Sequence, residues 1–462
     1  MTPRALVEAR GVTLRRGERV LLEDVTVGLA AGERWVLWGA NGAGKSSLAR
    51  LLAGLEAPSA GSVLFAAGVD APLPLLVPDP DAQLAAASVR DEIALGARRP
   101  GEPRLDRAGR GPAAARIDAA LAEYRLGALA RRNPHALSGG EKRRLAIAAL
   151  SVLDSPVLLL DEPELHLDPP SWRETCAHLD AWLAGGERAV LEISRDPARL
   201  AGAAGLAVLH DGRLIAAGPP ERVREALAGR PELALPWPGE TPAAAPAPPP
   251  PGDAVLRAEG LRLDRPSGGT PVLAGLDLTL HAGERVLLVG DNGSGKSVLL
   301  LLLAGLADPD AGRLWRAPDS GEPALAFQEP ERVCFAERVD AEVAFGLERR
   351  LGLRGAALAA RVETALAAVG LPAATFASRD PFRLSTGEQR RLALASILAL
   401  EPPLLLLDEP AAALDPAGRA ALLAAVDAWP GALLWADCRP EAGEGVRWHR
   451  RLRLADGHLS EE

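Results

Sequence analysis

Cysteine is scarce in this chain: Cys176, Cys334 and Cys438 are the only three in 462 residues, and no two stand in a CxxC spacing. That excludes a disulfide framework and a zinc site of the usual spacing, and it fits a reducing compartment. A basic excess is also lacking. Lys and Arg number 52 against 61 Asp and Glu, a net charge of −9, the wrong sign for coating nucleic acid or anionic lipid. No nucleic-acid partner is expected. Long apolar runs are missing too. The longest, Val298 to Leu303 continued by Ala304, Gly305, Leu306 and Ala307, is half of the roughly 20 residues that span a bilayer. The opening residues MTPRALVE carry no apolar signal stretch. The expectation is a chain that does not cross a membrane by itself.

What is present is a repeat. At 48% hydrophobic and 24% charged residues, the chain has the composition of a globular protein long enough for two or three domains. Gly39-Ala-Asn-Gly-Ala-Gly-Lys-Ser46 recurs 251 residues later as Gly290-Asp-Asn-Gly-Ser-Gly-Lys-Ser297. Leu137-Ser-Gly-Gly-Glu141 recurs 247 residues later as Leu384-Ser-Thr-Gly-Glu388. Val157-Leu-Leu-Leu-Asp-Glu-Pro163 recurs at the same offset of 247 as Leu404-Leu-Leu-Leu-Asp-Glu-Pro410. Four features in one order at nearly one offset, the last being Asp211-Gly-Arg-Leu214 and Asp456-Gly-His-Leu459, mark a duplicated unit. The Pro- and Ala-rich stretch between the copies favours extended polyproline II and has no core of its own. The expected domains are 1–235 and 254–462, with 236–253 as linker.

Each copy reads as an α/β layer fold. Arg34–Trp38 and Arg285–Val289 are short apolar runs that enter a glycine loop, so they read as buried strands, with a helix after each loop. The runs ending at Asp161 and Asp408 follow prolines and are too short for helices, so they read as parallel central strands.

The pattern G-x-x-x-x-G-K-[ST] is a phosphate cradle: glycines let backbone N–H groups approach phosphate, and the helix N-terminus adds positive potential. One match between a strand and a helix can be coincidence; two leave little room for that. The nucleotide-binding residues expected from it are Gly39, Asn41, Gly42, Gly44, Lys45, Ser46 and Ser47, and in the second copy Gly290, Asn292, Gly293, Gly295, Lys296 and Ser297. The lysines would neutralise the β- and γ-phosphates of ATP. An acid at the end of an apolar strand is costly unless it holds a cation. Asp161 with Ser46, and Asp408 with Ser297, are therefore the expected Mg2+ ligands. Glu162 and Glu409, one residue on, would orient or deprotonate the attacking water. A solvated loop carboxylate is the ordinary reading of one such pair, and the upstream cradle in each copy weighs against it.

Ser-Gly-Gly alone is a turn and a helix cap. Placed between a phosphate loop and an Asp-Glu strand, Leu137-Ser-Gly-Gly-Glu141 resembles the signature sequence of ABC ATPases, and Leu167-Asp-Pro169 and Leu414-Asp-Pro416 resemble that family's D-loops. The resemblance implies two tandem P-loop NTPase domains of ABC type, each with a RecA-like core, an antiparallel β subdomain and a helical subdomain. It also implies that Ser138, Gly139 and Gly140, and Ser385, Thr386 and Gly387, present N–H groups to ATP held by the other domain. A monomeric fused pair could then close both sites. Phe327-Gln-Glu-Pro-Glu-Arg-Val-Cys-Phe335 with Glu342-Val-Ala-Phe-Gly346 resembles the Gln-loop and following helix of energy-coupling factor ATPases. That narrower resemblance implies catalytic help from Gln328 and a place on the cytoplasmic face of the membrane. The partners it implies are the coupling helices of a transmembrane subunit and a substrate-binding membrane protein, in uptake of a vitamin or transition metal ion.

The first copy departs from the pattern at Pro78, where glutamine is usual, and at Arg195, where a switch histidine is usual. Its expected partner signature carries Thr386 in place of glycine. The second copy lacks only the histidine, with Asp437 or Cys438 nearest that position. The expectation is that the second site performs most of the hydrolysis. The adenine-stacking aromatic is absent from both copies, with Arg15, Arg16 and Arg265 near its place. The alternatives are an ATP-gated clamp with little turnover, or a soluble twin-domain protein acting on ribosomes. The short proline-rich linker speaks against the second, because such proteins have a long charged helical linker.

Overall fold

The computed structural model describes residues 5–97, 102, 111–230, 248–265, 269–318, 321–327, 334–412, 414 and 416–462. The chain forms two compact units, Met1–Glu240 and Thr241–Glu462. Each is built on the same plan.

The first unit opens with two long strands, β1 (Ala5–Arg16) and β2 (Arg19–Ala30), joined later by β4 (Ala60–Phe65) in an antiparallel sheet ordered β2-β1-β4. Val7, Ala9, Val12 and Leu14 of β1 are buried, close to the period-2 pattern of a sheet with one face in a core. Between β2 and β4 run β3 (Arg34–Gly39) and α1 (Lys45–Leu52), and after β4 comes the short β5 (Leu75–Leu76). Three helices follow: α2 (Val89–Ala97), α3 (Ala114–Glu123) and α4 (Gly139–Ser151). The chain then returns through β6 (Val157–Asp161), α5 (Pro169–Leu183), β7 (Ala189–Ile193), β8 (Gly205–His210), β9 (Arg213–Gly218) and α6 (Pro220–Leu227). A six-stranded sheet ordered β5-β6-β7-β3-β8-β9 results, parallel except for the final β8–β9 pair. Every residue of β6 and β7 is buried, as a parallel strand covered on both faces requires.

The second unit repeats this order. Its antiparallel sheet is β11 (Leu273–His281), β10 (Ala254–Leu263) and β13 (Ala311–Arg316), with β12 (Arg285–Val289) and α7 (Lys296–Ala304) intervening in sequence. After β14 (Ala324–Ala326) comes a helical layer of α8 (Val339–Leu351), α9 (Gly355–Ala368), α10 (Ala373–Phe376) and α11 (Thr386–Leu398). Then follow β15 (Leu404–Asp408), α12 (Pro416–Asp427), β16 (Ala432–Asp437), β17 (Arg450–Ala455) and β18 (His458–Glu461), giving a sheet ordered β14-β15-β16-β12-β17-β18. The expected core, antiparallel subdomain and helical subdomain are all present in both units. Among the described residues no helix is long and apolar enough to cross a membrane.

In both main sheets the strand that enters the glycine loop is central, β3 between β7 and β8 and β12 between β16 and β17. The glycine loop therefore leaves the middle of the sheet at the carboxyl ends of the parallel strands, where open α/β sheets bind their ligands. The sheet register also aligns the halves residue by residue. Val36 pairs with Glu192 in the first unit, and its counterpart Leu287 pairs with Trp435 in the second. Glu192 and Trp435 thus occupy one position, both without solvent exposure. In the first unit Arg199 Nε and Nη2 donate to Glu192 at 2.8 and 2.6 Å, and Arg199 and Arg34 both reach Asp180 Oδ1. The second unit fills the same space with an indole.

A buried pair that loses one partner leaves an uncompensated charge, at about 3–5 kcal/mol, whereas an apolar replacement of both is close to neutral. Glu192→Ala is therefore expected to destabilise the first unit more than the double change Glu192→Leu with Arg199→Leu. Urea-dependent proteolysis of the full chain, with first-unit peptides quantified, measures this; an equal or larger loss in the double variant would refute it.

Candidate functional site

The glycine loops leave their strands under tight steric limits. A Cβ on Gly39 would lie 2.3 Å from the Leu209 carbonyl oxygen, and one on Gly290 would lie 2.6 Å from that of Leu454. Only glycine fits so close to the neighbouring strand. Gly44 and Gly295 sit at φ 101° and 104°, in the left-handed region, as the N-caps of α1 and α7. The backbone N–H groups at the start of each helix therefore open into the crevice instead of being capped by a side chain, the arrangement that binds phosphate. Gly42 and Gly293, both at φ 79°, complete each loop.

The two lysines curl over their loops. Lys45 Nζ donates to the carbonyls of Gly39 and Ala40 at 2.7 and 2.8 Å, and Lys296 Nζ to those of Gly290 and Asp291 at 2.7 and 3.0 Å. Each ammonium is thereby held above the cradle. Behind it stand the strand-end acids. Asp161 is 4% exposed and Asp408 is 7% exposed. Burial pushes the Asp161 carboxyl up to about 6, with a hydrogen bond from Ser46 and the Lys45 charge pulling the other way. Asp408 is likewise raised by burial and opposed by Ser297 and Lys296. A carboxylate this dry, sharing hydrogen bonds with a cradle hydroxyl, is a donor set short of positive charge, and a divalent cation would supply it.

Glu162 and Glu409 follow at φ 50° and 46°. Two non-glycine residues in the left-handed region, at one position in both halves, mark stored backbone strain. Their N–H groups donate to Ile193 O and Ala436 O, each at 2.8 Å, which fixes where the side chains leave the strand ends. That bond also settles the switch position. Ile193 corresponds to Ala436, so Ser194 corresponds to Asp437 and Arg195 to Cys438. Of the two residues expected near that position, Cys438 is the one that occupies it.

The halves differ most at this point. Arg195 Nη2 donates to Glu162 Oε1 at 2.5 Å and to Asn41 Oδ1 at 2.9 Å, joining the glutamate to the glycine loop. The Arg195 N–H donates to Glu164 Oε1 at 2.6 Å. The Glu164 carboxyl is withdrawn from water although the residue is half-buried, and burial pushes it up to about 7. In the second half Cys438 is buried, and burial raises its thiol far above the range where thiolate forms. Asp437 lies beneath it, buried, accepting from Arg439 N–H at 3.0 Å and Trp435 Nε1 at 3.3 Å. Burial raises both Asp437 and Glu409, and each feels the cation of Arg439.

The signature turns are capping boxes. Ser138 and Ser385 cap α4 and α11, and Glu141 and Glu388 accept from the cap N–H groups at 2.8 Å. The shared shape of the two turns survives Thr386, which sits in the first turn of α11 where Gly139 sits in α4. Gly139 faces the His166 side chain. Further into α4, the fully buried Arg143 donates to the carbonyls of Val77 and Pro78, both at 2.7 Å, and to Leu165 O at 3.3 Å. It ties the signature helix to the loop after β5. Sequence reading missed Arg143, Glu164 and the Arg195–Glu162–Asn41 bridge; strand register adds only that Arg195 and Cys438 share one position. Pro78 corresponds to Gln328, which lies with Asp415 outside the described residues. Of the arginines near the adenine position, Arg16 is taken up by Glu56 at 2.9 Å and Arg265 donates to Thr270 O at 3.2 Å.

The sequence pattern of the ABC transporter family matches residues 22–164 and 273–412. An ABC transporter ATP-binding protein of Bifidobacterium longum is 31% identical over 463 aligned positions, covering 87% of this chain and 58% of that protein. A nickel import ATP-binding protein of Rhodobacter capsulatus is 48% identical over 164 positions, 32% of this chain and 63% of that one. The chain thus spans less than two thirds of either relative's length. An archaeal ribosome recycling factor, solved with a ribosomal stalk protein, shares the fold at a TM-score of 0.68 and 20% identity, over 97% of this chain and 89% of its own. With both halves matched and both cradles built, the chain belongs to the ABC transporter family, carrying two of its ATP-binding domains in tandem.

Proposed function

We propose that this chain is the ATP-hydrolysing subunit of an energy-coupling factor type importer for a vitamin or transition metal ion, acting at the cytoplasmic face of a membrane. Hydrolysis adds water to the γ-phosphorus, breaks its bond to the bridging oxygen of ADP and releases phosphate and a proton. Lys45 and Lys296 would meet the β- and γ-phosphates, and the N–H groups at the starts of α1 and α7 would hold them in place. Mg2+, which Ser46 and Asp161 or Ser297 and Asp408 would hold, would neutralise charge on the phosphate oxygens. Glu409, half-buried and with its carboxyl raised by burial, is suited to accept the proton of the water. We assign most of the turnover to the second half.

The observation that carries the partner half of this reading is the aromatic surface of the second unit. Phe335 and Phe345 pack edge to face with centroids 4.7 Å apart while remaining 57% and 46% exposed. Phe327 and Phe382 are exposed as well, so four of the chain's six phenylalanines face solvent beside β14 and along the helical layer. The first half carries Val77, Ala85, Leu95 and His135 at those positions. Exposed aromatics at this density favour an apolar partner surface, and the helix of a transmembrane subunit offers one. The 48% identity to a nickel import protein over 164 residues supports metal uptake.

Two measurements test this. Glu409→Gln is expected to lower steady-state phosphate release about 100-fold and to cost more than Glu162→Gln; equal losses would remove the division of labour. Phe335→Ser with Phe345→Ser is expected to cut recovery of the co-purifying membrane subunit by roughly tenfold, and unchanged recovery would remove this surface from the partner interface.

A further inference from the structure

We infer that Arg195 is a latch that keeps the first half from hydrolysing the nucleotide it holds, by engaging the carboxylate of Glu162 and tying it to Asn41 of the glycine loop. This rests on the reading that each half holds ATP, and it assigns the first half the role of a nucleotide-holding site.

A general base needs a lone pair directed at the water it deprotonates. One of the two carboxylate oxygens of Glu162, Oε1, is taken up as the acceptor of a charge-assisted bond from Arg195 Nη2, 2.5 Å long, which also fixes where the other points. Such bonds are about twice as strong as neutral ones. The pair is also shielded: the side chains are 25% and 13% exposed. Exposed ion pairs contribute little because water competes for both charges, and here that competition is reduced. The guanidinium cannot swing away freely. Its second bond, from the same Nη2 to Asn41 Oδ1, anchors it to the loop at 2.9 Å, and the Arg195 backbone N–H is fastened to the dry carboxyl of Glu164 at 2.6 Å. Glu162 is itself held by its strained backbone at φ 50° and its N–H bond to Ile193 O. Both ends of the bridge are thus fixed to the scaffold.

At the same register the second half has Cys438, a neutral thiol that burial keeps protonated. As a neutral group it cannot form an ion pair with Glu409. The duplicated backbone therefore sets a fixed cation beside one strand-end glutamate and a thiol at the matching position beside the other. The charges of Lys296, Arg439 and Arg390 act on Glu409, and the residue at the register of Arg195 is the thiol of Cys438. The same bridge has a second effect. By cross-linking the glycine loop to the end of β6 it stiffens the cradle, which suits retention of nucleotide over many cycles of the other half.

The test uses the full chain with Glu409→Gln, in which the second half is disabled, and adds Arg195→His, with Arg195→Ala as a second variant. Opening the latch is expected to raise residual phosphate release by about tenfold or more, and adding Glu162→Gln is expected to abolish the gain. In parallel, an azido-ATP labelled in its α-phosphate is photo-crosslinked and the labelled half identified by peptide mapping. First-half label is expected as triphosphate in the Glu409→Gln chain and as diphosphate once Arg195 is replaced. No gain in phosphate release with intact folding, or loss of first-half labelling in both Arg195 variants, would overturn the latch, the second result by making Arg195 a phosphate contact. Phosphate release by the unaltered chain, measured alongside, reports separately on the ATPase reading.

Discussion

The arrangement depends on a carboxylate kept dry at the end of a central parallel strand. Asp161 and Asp408 are enclosed because β6 and β15 lie between other strands with both faces covered. Water cannot solvate them well, so their cost must be met by what stands opposite: the serine hydroxyl and lysine ammonium of the glycine loop. That requirement links two segments far apart in sequence. It also explains why the loop lysines bend back over the loop carbonyls, close to the acids, rather than extending into solvent. A polyphosphate with its cation satisfies the same charges more fully, which is the physical basis for binding.

Duplication lets one half serve as a control for the other. The strand order, the helix starts, the left-handed glutamates and the capping boxes are the same in both. Where they diverge, the changes fall into two groups. In the interior, Glu192 with Arg199 is exchanged for Trp435, two different ways of filling a closed space. At the strand ends and the helical layer, Arg195 is exchanged for Cys438, and one set of positions carries four phenylalanines in the second half alone. The first group concerns packing. The second alters chemistry and surface, so the two halves are equivalent as folds and unequal as sites.

Arg143 illustrates how the helical layer is tied to the rest of a half. This guanidinium, without solvent exposure, donates to carbonyl oxygens of Val77, Pro78 and Leu165. Burial lowers it to about 10, and the nearby carboxylates of Glu164, Glu162 and Asp161 oppose that loss. The side chain therefore joins the loop after β5 to the carboxylates of the strand ends. Arg390, its counterpart in α11, donates to the Glu409 carbonyl.

The sequence by itself determined the duplication, the two glycine cradles, the strand-end Asp-Glu pairs and the layer architecture, because each depends on local spacing or on the 2-residue and helical periods of apolar side chains. Pro78, Arg195 and the absent histidines were also legible as departures from a repeated pattern. What they do was not. That Cys438 rather than Asp437 matches Arg195 follows from the pairing of β16 with β12, and register is a property of the sheet. That Arg195 reaches both Glu162 and Asn41, residues 33 and 154 positions away, depends on three strand ends meeting at one crevice. Such contacts are decided by tertiary structure alone, since nothing in a linear pattern records which distant carboxylate a guanidinium will find.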